Sequence, residues 1–301
     1  MKTLVTCLTI SLAVAAWAAG SGNAGATIAD CATPVATRSI PYVDEPVSPR
    51  QELDVYGFET SGGCDPGPVV VYVHGGGWRV GDKRAVGEKA TFFNDLGYVF
   101  VSVNYRLSAP ADDPDRPMHP DHADDVGAAV AWVQASIEDH GGDGEHLALI
   151  GHSAGAHLVS LVGLDDHYIE QAGGNPSAVE CVITNDGAYD LLARTENGSR
   201  ASRLLTNAFG TDQDTLRDAS PITHVDDGDD DPPGFLVVLR GVPLRQGAQV
   251  RFVDALEGAG GEVTTLDATT YTHGEVNAMI GVAGDTVMTS PIEEFTRNCL
   301  S

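Results

Sequence analysis

The most constraining feature of the sequence is Ser153, which has a glycine two residues away on each side in the run Gly-His-Ser-Ala-Gly over residues 151–155. Residues 147–150 are apolar and predict a buried strand, and residues 156–164 predict a buried helix. A serine on a tight turn between strand and helix presents its hydroxyl beyond the sheet edge, and the flanking positions have almost no room for side chains. We therefore interpret Ser153 as a nucleophile rather than as part of an ordinary strand–helix turn.

The rest of the chain alternates between predicted strands and predicted helices. The strands are expected at residues 39–43, 52–58, 69–73, 98–103, 147–150, 178–184, 235–239 and 263–266. The helices are expected at residues 83–96, 122–138, 156–164 and 246–258, with a final helix from Glu275. This alternation predicts an α/β fold in one domain over residues 27–301, with a mostly parallel central sheet and helices on both faces. Residues 187–232 are polar and loosely helical, and we expect them to form a small cap-like excursion.

The N-terminal segment has the layout of a secretory signal peptide. Lys2 is followed by an apolar stretch from Leu4 to Ala19 and then by small residues. This stretch is too short for a stable membrane span, and no other stretch approaches that length. We expect residues 1–26 to contain the signal, with cleavage between 18 and 26. The protein is then predicted to be secreted or periplasmic, with no membrane partner.

Export makes the cysteines informative, because disulfides persist in oxidising compartments. Cys31, Cys64, Cys181 and Cys299 remain after removal of the signal, and four cysteines allow three pairings. The first two bracket the N-terminal segment, whereas the last two are expected at the same end of the sheet. We predict the pairs Cys31–Cys64 and Cys181–Cys299.

The charge of the chain excludes some partners. Seventeen basic and 43 acidic residues give a net charge of −26, which would repel nucleic acid and anionic membranes. The acidic run over residues 226–231 and the histidines and aspartates of residues 119–125 could suggest a cation site. We interpret the first as a solvated loop and the second as the acidic first turn of a helix. We therefore predict no metal and no cofactor.

Three stretches that carry reactive groups follow predicted strands, and in a parallel sheet such stretches collect at one edge. They are the glycine-rich residues 74–77, the turn at Ser153 and the loop that contains His273. Glycine N–H groups can approach a substrate oxygen closely and stabilise the charge that develops on it. His273 follows the nucleophile late in the chain, as the base of such a site should.

Four motifs together resemble the α/β-hydrolase esterases, in the branch near hormone-sensitive lipase and the bacterial feruloyl-esterase-like carboxylesterases. They are His-Gly-Gly-Gly-Trp at 74–78, Asn-Tyr-Arg-Leu at 104–107, the run at 151–155, and His-Gly-Glu-Val-Asn at 273–277. The resemblance extends from about residue 53 to residue 281.

This resemblance implies roles for individual residues. It implies that Ser153 is the nucleophile and His273 the base. The N–H groups of Gly76, Gly77 and Ala154 would form the oxyanion hole. Trp78 would pack beside the opening through which substrate reaches the site.

The sequence departs from the family at the catalytic acid. Relatives carry this aspartate after the strand that corresponds to residues 235–239, where this chain has Arg-Gly-Val-Pro-Leu-Arg-Gln at 240–246 and lacks the Asp-containing middle. Asp186, which follows the strand at 178–184, is the first candidate for a replacement, although its role could be confined to shaping that turn. Asp267 is the second candidate and Asp190 the third. Loss of the acid can cost about 10⁴-fold in turnover, so weak activity is expected.

Two classes of function remain. The first is a secreted serine carboxylesterase that hydrolyses small or aryl acyl esters through an acyl-serine intermediate, without a cofactor. The second is a non-catalytic relative that binds a small ligand in the former acyl pocket. Both predict a small-molecule partner, and neither fixes the oligomeric state.

Overall fold

Six neighbouring strands of the described sheet are parallel, and five of them carry runs of Val, Leu and Ile that suit burial on both faces, whereas the sixth is an edge strand. The computed structural model describes residues 28–59, 64–110, 112–193, 199–226 and 232–300. The strands are β1 (Pro34–Pro41), β2 (Glu52–Phe58), β3 (Gly67–Val73), β4 (Val99–Val103), β5 (Gly142–His152), β6 (Val179–Asn185), β7 (Gly234–Leu239) and β8 (Val263–Asp267). Their order across the sheet is β1-β2-β4-β3-β5-β6-β7-β8, with β1 and β2 antiparallel to their neighbours. The predicted fold class is confirmed.

Helices cover both faces of the sheet. They are α1 (Ile28–Cys31), α2 (Lys89–Asp95), α3 (Asp121–Ser136), α4 (Ala154–Val162), α5 (His167–Glu170), α6 (Arg200–Phe209), α7 (Gln213–Asp218), α8 (Pro243–Gly258), α9 (Glu275–Ala278) and α10 (Thr289–Cys299). Along β3, Val69 and Val71 pack into the core beneath α3, α4 and α8, whereas Val70 and Tyr72 pack into the core beneath α2, α9 and α10. The period-two alternation of a strand thus supplies both cores.

The helix predicted over residues 83–96 is wrong in its first half, because α2 begins at Lys89. Lys83 lies in the preceding turns, where its backbone N–H donates to Asn104 Oδ1 at 2.7 Å. Its ammonium group is buried against Asp54 at 2.5 Å. These tertiary contacts hold the segment out of a helix. The first strand also begins earlier than predicted, at Pro34.

The C-terminal elements differ from the predicted boundaries at two places. The final helix is divided into α9 and α10, because Gly281 and Gly284 adopt φ values of 86° and 80° that a helix cannot accommodate. The helix predicted from residue 246 begins at Pro243, a residue type that favours the first turn. This earlier start brings Arg245 into the helix.

The cysteines whose side chains are described are disulfide-bonded. Cys181 and Cys299 form a disulfide with a Cα–Cα distance of 6.2 Å, which confirms that predicted pair. Cys64 is also disulfide-bonded. The side chain of Cys31 lies outside the described residues, so the pairing Cys31–Cys64 stays a prediction, as does the signal over residues 1–26.

The excursion predicted over residues 187–232 contains two helices, α6 and α7, in its described parts. Helix α6 begins after Ser199, whose side chain accepts a hydrogen bond from the N–H of Ser202. Its residue Leu204 reaches the glycine-rich loop after β3. Within the described ranges, no helix has the length and apolar character needed to cross a bilayer.

Candidate active site

Ser153 lies on the turn between β5 and α4 with a φ of 58°, a value that few non-glycine residues adopt. Its N–H donates to Asn185 O at 2.9 Å. A Cβ on Gly151 would lie 2.3 Å from Gly155 O, and a Cβ on Gly155 would lie 2.0 Å from Val73 O. A side chain at either position would collide with the neighbouring backbone, so both positions require glycine. This explains their spacing around the serine.

His273 follows β8 and lies between Ser153 and Asp186. Its Nε2 is 3.0 Å from Ser153 Oγ, and its Nδ1 is 2.5 Å from Asp186 Oδ2. With the proton on Nδ1, the ring donates to the carboxylate and can accept the hydroxyl proton at Nε2. Hydroxyl, imidazole and carboxylate are thus in the order that nucleophilic catalysis requires.

Asp186 directly follows β6, and its side chain is completely buried. Besides His273, its carboxylate accepts hydrogen bonds from Arg240 Nε, from Arg245 Nε at 2.5 Å and from Gln249 Nε2 at 3.1 Å. Burial by itself raises the pKa of Asp186. The hydrogen bond from His273 and the charge of Arg245 outweigh it, and the pKa lies below its ordinary value. Asp186 is therefore held as an anion.

The other two candidate acids lie apart from this hydrogen-bond chain. Asp267 is exposed, and its carboxylate accepts from the backbone N–H two residues later at 2.9 Å. Asp190 accepts from the backbone N–H of Ala193 at 2.9 Å. The structure thus brings the first candidate to His273.

The loop after β3 presents backbone N–H groups beside Ser153. Gly76 and Gly77 have φ values of 128° and 63°. A Cβ on Gly76 would lie 1.8 Å from Val80 O, and one on Gly77 would lie 2.7 Å from Leu204 Cδ1. No described residue accepts a hydrogen bond from the N–H groups of Gly76, Gly77 or Ala154. These three donors are available to a ligand oxygen.

A cavity of about 1020 Å³ opens over Ser153 and His273. Trp78 contributes to its wall and is 5% exposed. The indole packs edge-on against His157 and Phe209, with ring centroids 5.2 and 4.9 Å apart. Trp78 therefore forms a fixed wall of the cavity.

Comparison with known families shows the family to which the chain belongs. Residues 53–241, more than half of the chain, match the sequence profile of the family described as BD-FAE. The chain belongs to the BD-FAE family. The resemblance to the feruloyl-esterase-like carboxylesterases is thereby confirmed.

Curated relatives of this BD-FAE chain include two mycobacterial proteins. The probable carboxylic ester hydrolase LipM of Mycobacterium tuberculosis is 32% identical over 219 residues, which cover 69% of this chain and 47% of LipM. Carboxylesterase NlhH of the same species is 30% identical over 234 residues, which cover 70% of this chain and 67% of NlhH. The chain thus spans about half the length of LipM.

Among solved structures, a truncated carbohydrate esterase from gut microbiota has the same fold. It superposes with a TM-score of 0.70 at 19% identity, covering 88% of this chain and 95% of that one. This match supports the α/β-hydrolase fold of the BD-FAE chain.

His152 has a role that sequence reasoning missed. Its Nε2 is 2.7 Å from the carbonyl oxygen of His273, and the two rings lie 4.6 Å apart. Burial, followed by the charge of His273, lowers the pKa of His152 to about 4. A neutral imidazole with its proton on Nε2 therefore holds the backbone of the loop that carries His273. The position of His152 directly before Ser153 in the sequence was the signal that could have indicated this role.

The arginines on Asp186 were also missed. Arg240 and Arg245 stand in the stretch where relatives carry the acid, and the sequence showed only that the acid was absent. The signal for their placement was Pro243, because a helix that begins there turns Arg245 toward the end of β6.

The histidine- and aspartate-rich segment before α3 is engaged in structural contacts. Arg106 pairs with Asp121 at 2.6 Å and with Asp125 at 2.9 Å. His122 Nε2 is 2.8 Å from Ser108 Oγ. Across the described ranges, no group of three metal-binding side chains is assembled. The expected acidic first turn is present in α3.

Proposed function

We propose that this protein is a serine carboxylesterase that hydrolyses small or aryl acyl esters through an acyl-serine intermediate. The observation that carries the proposal is the continuous hydrogen-bond chain from Ser153 Oγ through His273 to Asp186, beside a cavity. The names of LipM and NlhH support the same reaction class.

In the first half of the reaction, His273 Nε2 takes the proton of Ser153 as Oγ attacks the ester carbonyl. The carbonyl oxygen becomes negative and accepts hydrogen bonds from the N–H groups of Gly76, Gly77 and Ala154. Asp186 stabilises the imidazolium that forms. The imidazolium then protonates the departing alcohol, and an acyl-serine remains.

In the second half, water takes the position of the alcohol. His273 removes a proton from the water as its oxygen attacks the acyl carbonyl, and the same N–H groups stabilise the second oxyanion. Collapse of this intermediate returns the proton to Ser153 Oγ and releases the carboxylic acid.

We propose that turnover is modest for this reaction class. Asp186 is shared between His273 and two guanidinium groups, whose positive charges oppose the developing imidazolium. The two arginines keep the carboxylate ionised and oriented. They also weaken its interaction with His273.

We also propose that the protein is exported. The signal-like segment of residues 1–26 and the disulfide Cys181–Cys299 both support an oxidising compartment outside the cytoplasm. N-terminal sequencing of secreted material should give a first residue between 19 and 27. A mature chain that retains Met1 would contradict export.

The test of the esterase activity is Ser153→Ala, assayed with 4-nitrophenyl butyrate. We expect hydrolysis to fall to background with the circular dichroism spectrum preserved, because the nucleophile is lost without loss of packing. Ser177→Ala is the matched control, since Ser177 is exposed and lies outside the cavity lining. Unchanged turnover in Ser153→Ala would refute the esterase mechanism, and a wild type that binds but does not cleave esters would support the non-catalytic alternative.

A further inference from the structure

The cavity over Ser153 has a charge opposite to that of the whole molecule. The chain has 43 acidic and 17 basic residues. Among the described residues that line the cavity, however, four are arginines and one is acidic. The arginines are Arg79, Arg200, Arg203 and Arg245, and the acidic residue is Asp186. Because the surface as a whole is strongly negative, this local excess of cations needs an explanation.

The catalytic hydrogen bonds account for one of these arginines. Asp186 is neutralised by Arg240 and Arg245, so its carboxylate does not balance the others. Arg79 and Arg200 are exposed, and no described residue accepts a hydrogen bond from either guanidinium group. Within the described structure, neither arginine therefore stabilises the fold through an ion pair.

The two sides of the cavity contribute different arginines. Arg79 follows Trp78 on the loop that carries the predicted oxyanion donors, and its N–H donates to Gly76 O at 3.3 Å. Arg200 and Arg203 lie in the first turn of α6, the helix whose Leu204 contacts that same loop. Cations thus face the site from the loop and from the cap-like region. A cleft lined by one sign of charge concentrates ligands of the opposite sign.

We propose that the site selects esters whose acyl or alcohol part carries a second, anionic group, of which a carboxylate is the simplest. Guanidinium groups bind carboxylates through paired N–H donors, and Arg79 and Arg200 are placed to do so while the ester carbonyl lies at Ser153. The inference rests on the proposed esterase function and specifies its substrate class.

The first arm of the test varies only the charge of the substrate. Three 4-nitrophenyl esters share a six-carbon acyl chain and end in a carboxylate (adipate), a methyl group (hexanoate) or an ammonium group (6-aminohexanoate). A second pair, 3-carboxyphenyl and 3-carbamoylphenyl butyrate, places the charge on the alcohol side. We expect kcat/KM to be about tenfold higher for the anionic ester in at least one series, mainly through KM, and to fall toward the neutral value as salt is added.

The second arm removes the arginines. Arg79→Gln and Arg200→Gln should each reduce the ratio of anionic to neutral kcat/KM about threefold, and the double variant about tenfold, as expected for partly exposed ion pairs. Arg251→Gln is the matched control, because Arg251 is exposed on α8 and does not line the cavity. It should leave the ratio unchanged.

A binding measurement separates this inference from the esterase proposal. Calorimetry of the Ser153→Ala protein with the uncleaved anionic ester should give a Kd about tenfold lower than with the neutral ester, and Arg79→Gln/Arg200→Gln should remove the difference. Neutral esters that are cleaved with no anionic preference in rate or binding would overturn the inference and leave the esterase intact. Anion binding without cleavage would support the inference and refute the esterase.

Discussion

Asp186 is the residue on which the account of the site depends most. It follows β6, the strand beside β5, and the N–H of Ser153 donates to the residue before it, Asn185, at 2.9 Å. Acid and nucleophile are therefore fixed to adjacent strand ends. A φ of 59° turns the side chain of Asp186 back toward His273, at the cost of a strained backbone.

Replacing Asp186 tests whether it serves as the catalytic acid. Asp186→Asn should lower kcat by about two to four orders of magnitude at pH 7, because an amide cannot balance an imidazolium. The measurement is steady-state hydrolysis of 4-nitrophenyl butyrate with the fold monitored by circular dichroism.

The matched control for this change is Asp267→Asn, since Asp267 is exposed and its recorded hydrogen bonds come from Thr269, two residues later in the chain. It should cost less than about threefold, in the range of ordinary surface changes. A large loss in Asp267→Asn with none in Asp186→Asn would assign the acid to Asp267. No loss in either would leave a serine–histidine pair.

At the scale of elements, Lys89 connects α2 to α9, the short helix that follows His273. Its side chain is 1% exposed, and Nζ donates to Asn277 O in α9 at 2.7 Å. The ammonium also lies 5.1 Å from the centre of the Tyr72 ring. Burial lowers the pKa of Lys89 to about 8. The helix that follows His273 is thus held by a lysine whose charged form is costly to bury.

Because the charged form of Lys89 is costly to bury, the free energy of unfolding depends on pH. Between pH 8 and 10.5 the unfolded chain still binds the Lys89 proton while the folded chain has lost it, so stability rises with pH in this window. Compared with Lys89→Met, the wild type should gain about 2 kcal/mol of unfolding free energy from pH 8 to pH 10. Urea unfolding of both proteins at these two pH values measures the gain, and a constant difference between them would contradict it.

Sequence patterns were sufficient to predict the strands and the site residues that lie at the strand ends. The apolar run before Ser153 and its flanking glycines predicted β5, the turn and α4, because local sterics alone demand them. Asp186 was reached by the rule that parallel strand ends share an edge. The start of α2 and the two arginines on Asp186 depend on contacts between distant segments, such as Lys83 with Asp54, and local sequence carries no such signal.

At the scale of the whole molecule, a disulfide joins two distant parts of the chain. The disulfide between Cys181 and Cys299 joins β6, which leads to Asp186, to the end of α10 across 118 residues. A bridge over so long a loop restricts the unfolded chain strongly, by about 4 kcal/mol or more in the chain-entropy account. The final helix is therefore held near the strand that carries the acid.

The cysteines provide a test of this arrangement. Mature protein, denatured without reductant, should contain no free thiol when titrated with a chromogenic disulfide, because its four cysteines are predicted to form two bridges. Peptide mapping should recover the fragments of Cys181 and Cys299 as one linked species. Two or more reactive thiols would contradict the prediction, and a different set of linked fragments would reject the pairing Cys31–Cys64.

The central claim is that His273 and Asp186 activate Ser153 as a nucleophile, and the rate of its covalent modification measures this directly. A fluorophosphonate probe should label the wild type at one residue, which peptide mass mapping should identify as Ser153. Labelling of Asp186→Asn and His273→Ala should be slower by at least about 100-fold, since the serine then lacks an effective base. Absence of the adduct on Ser153, or equal rates in all three proteins, would contradict the account.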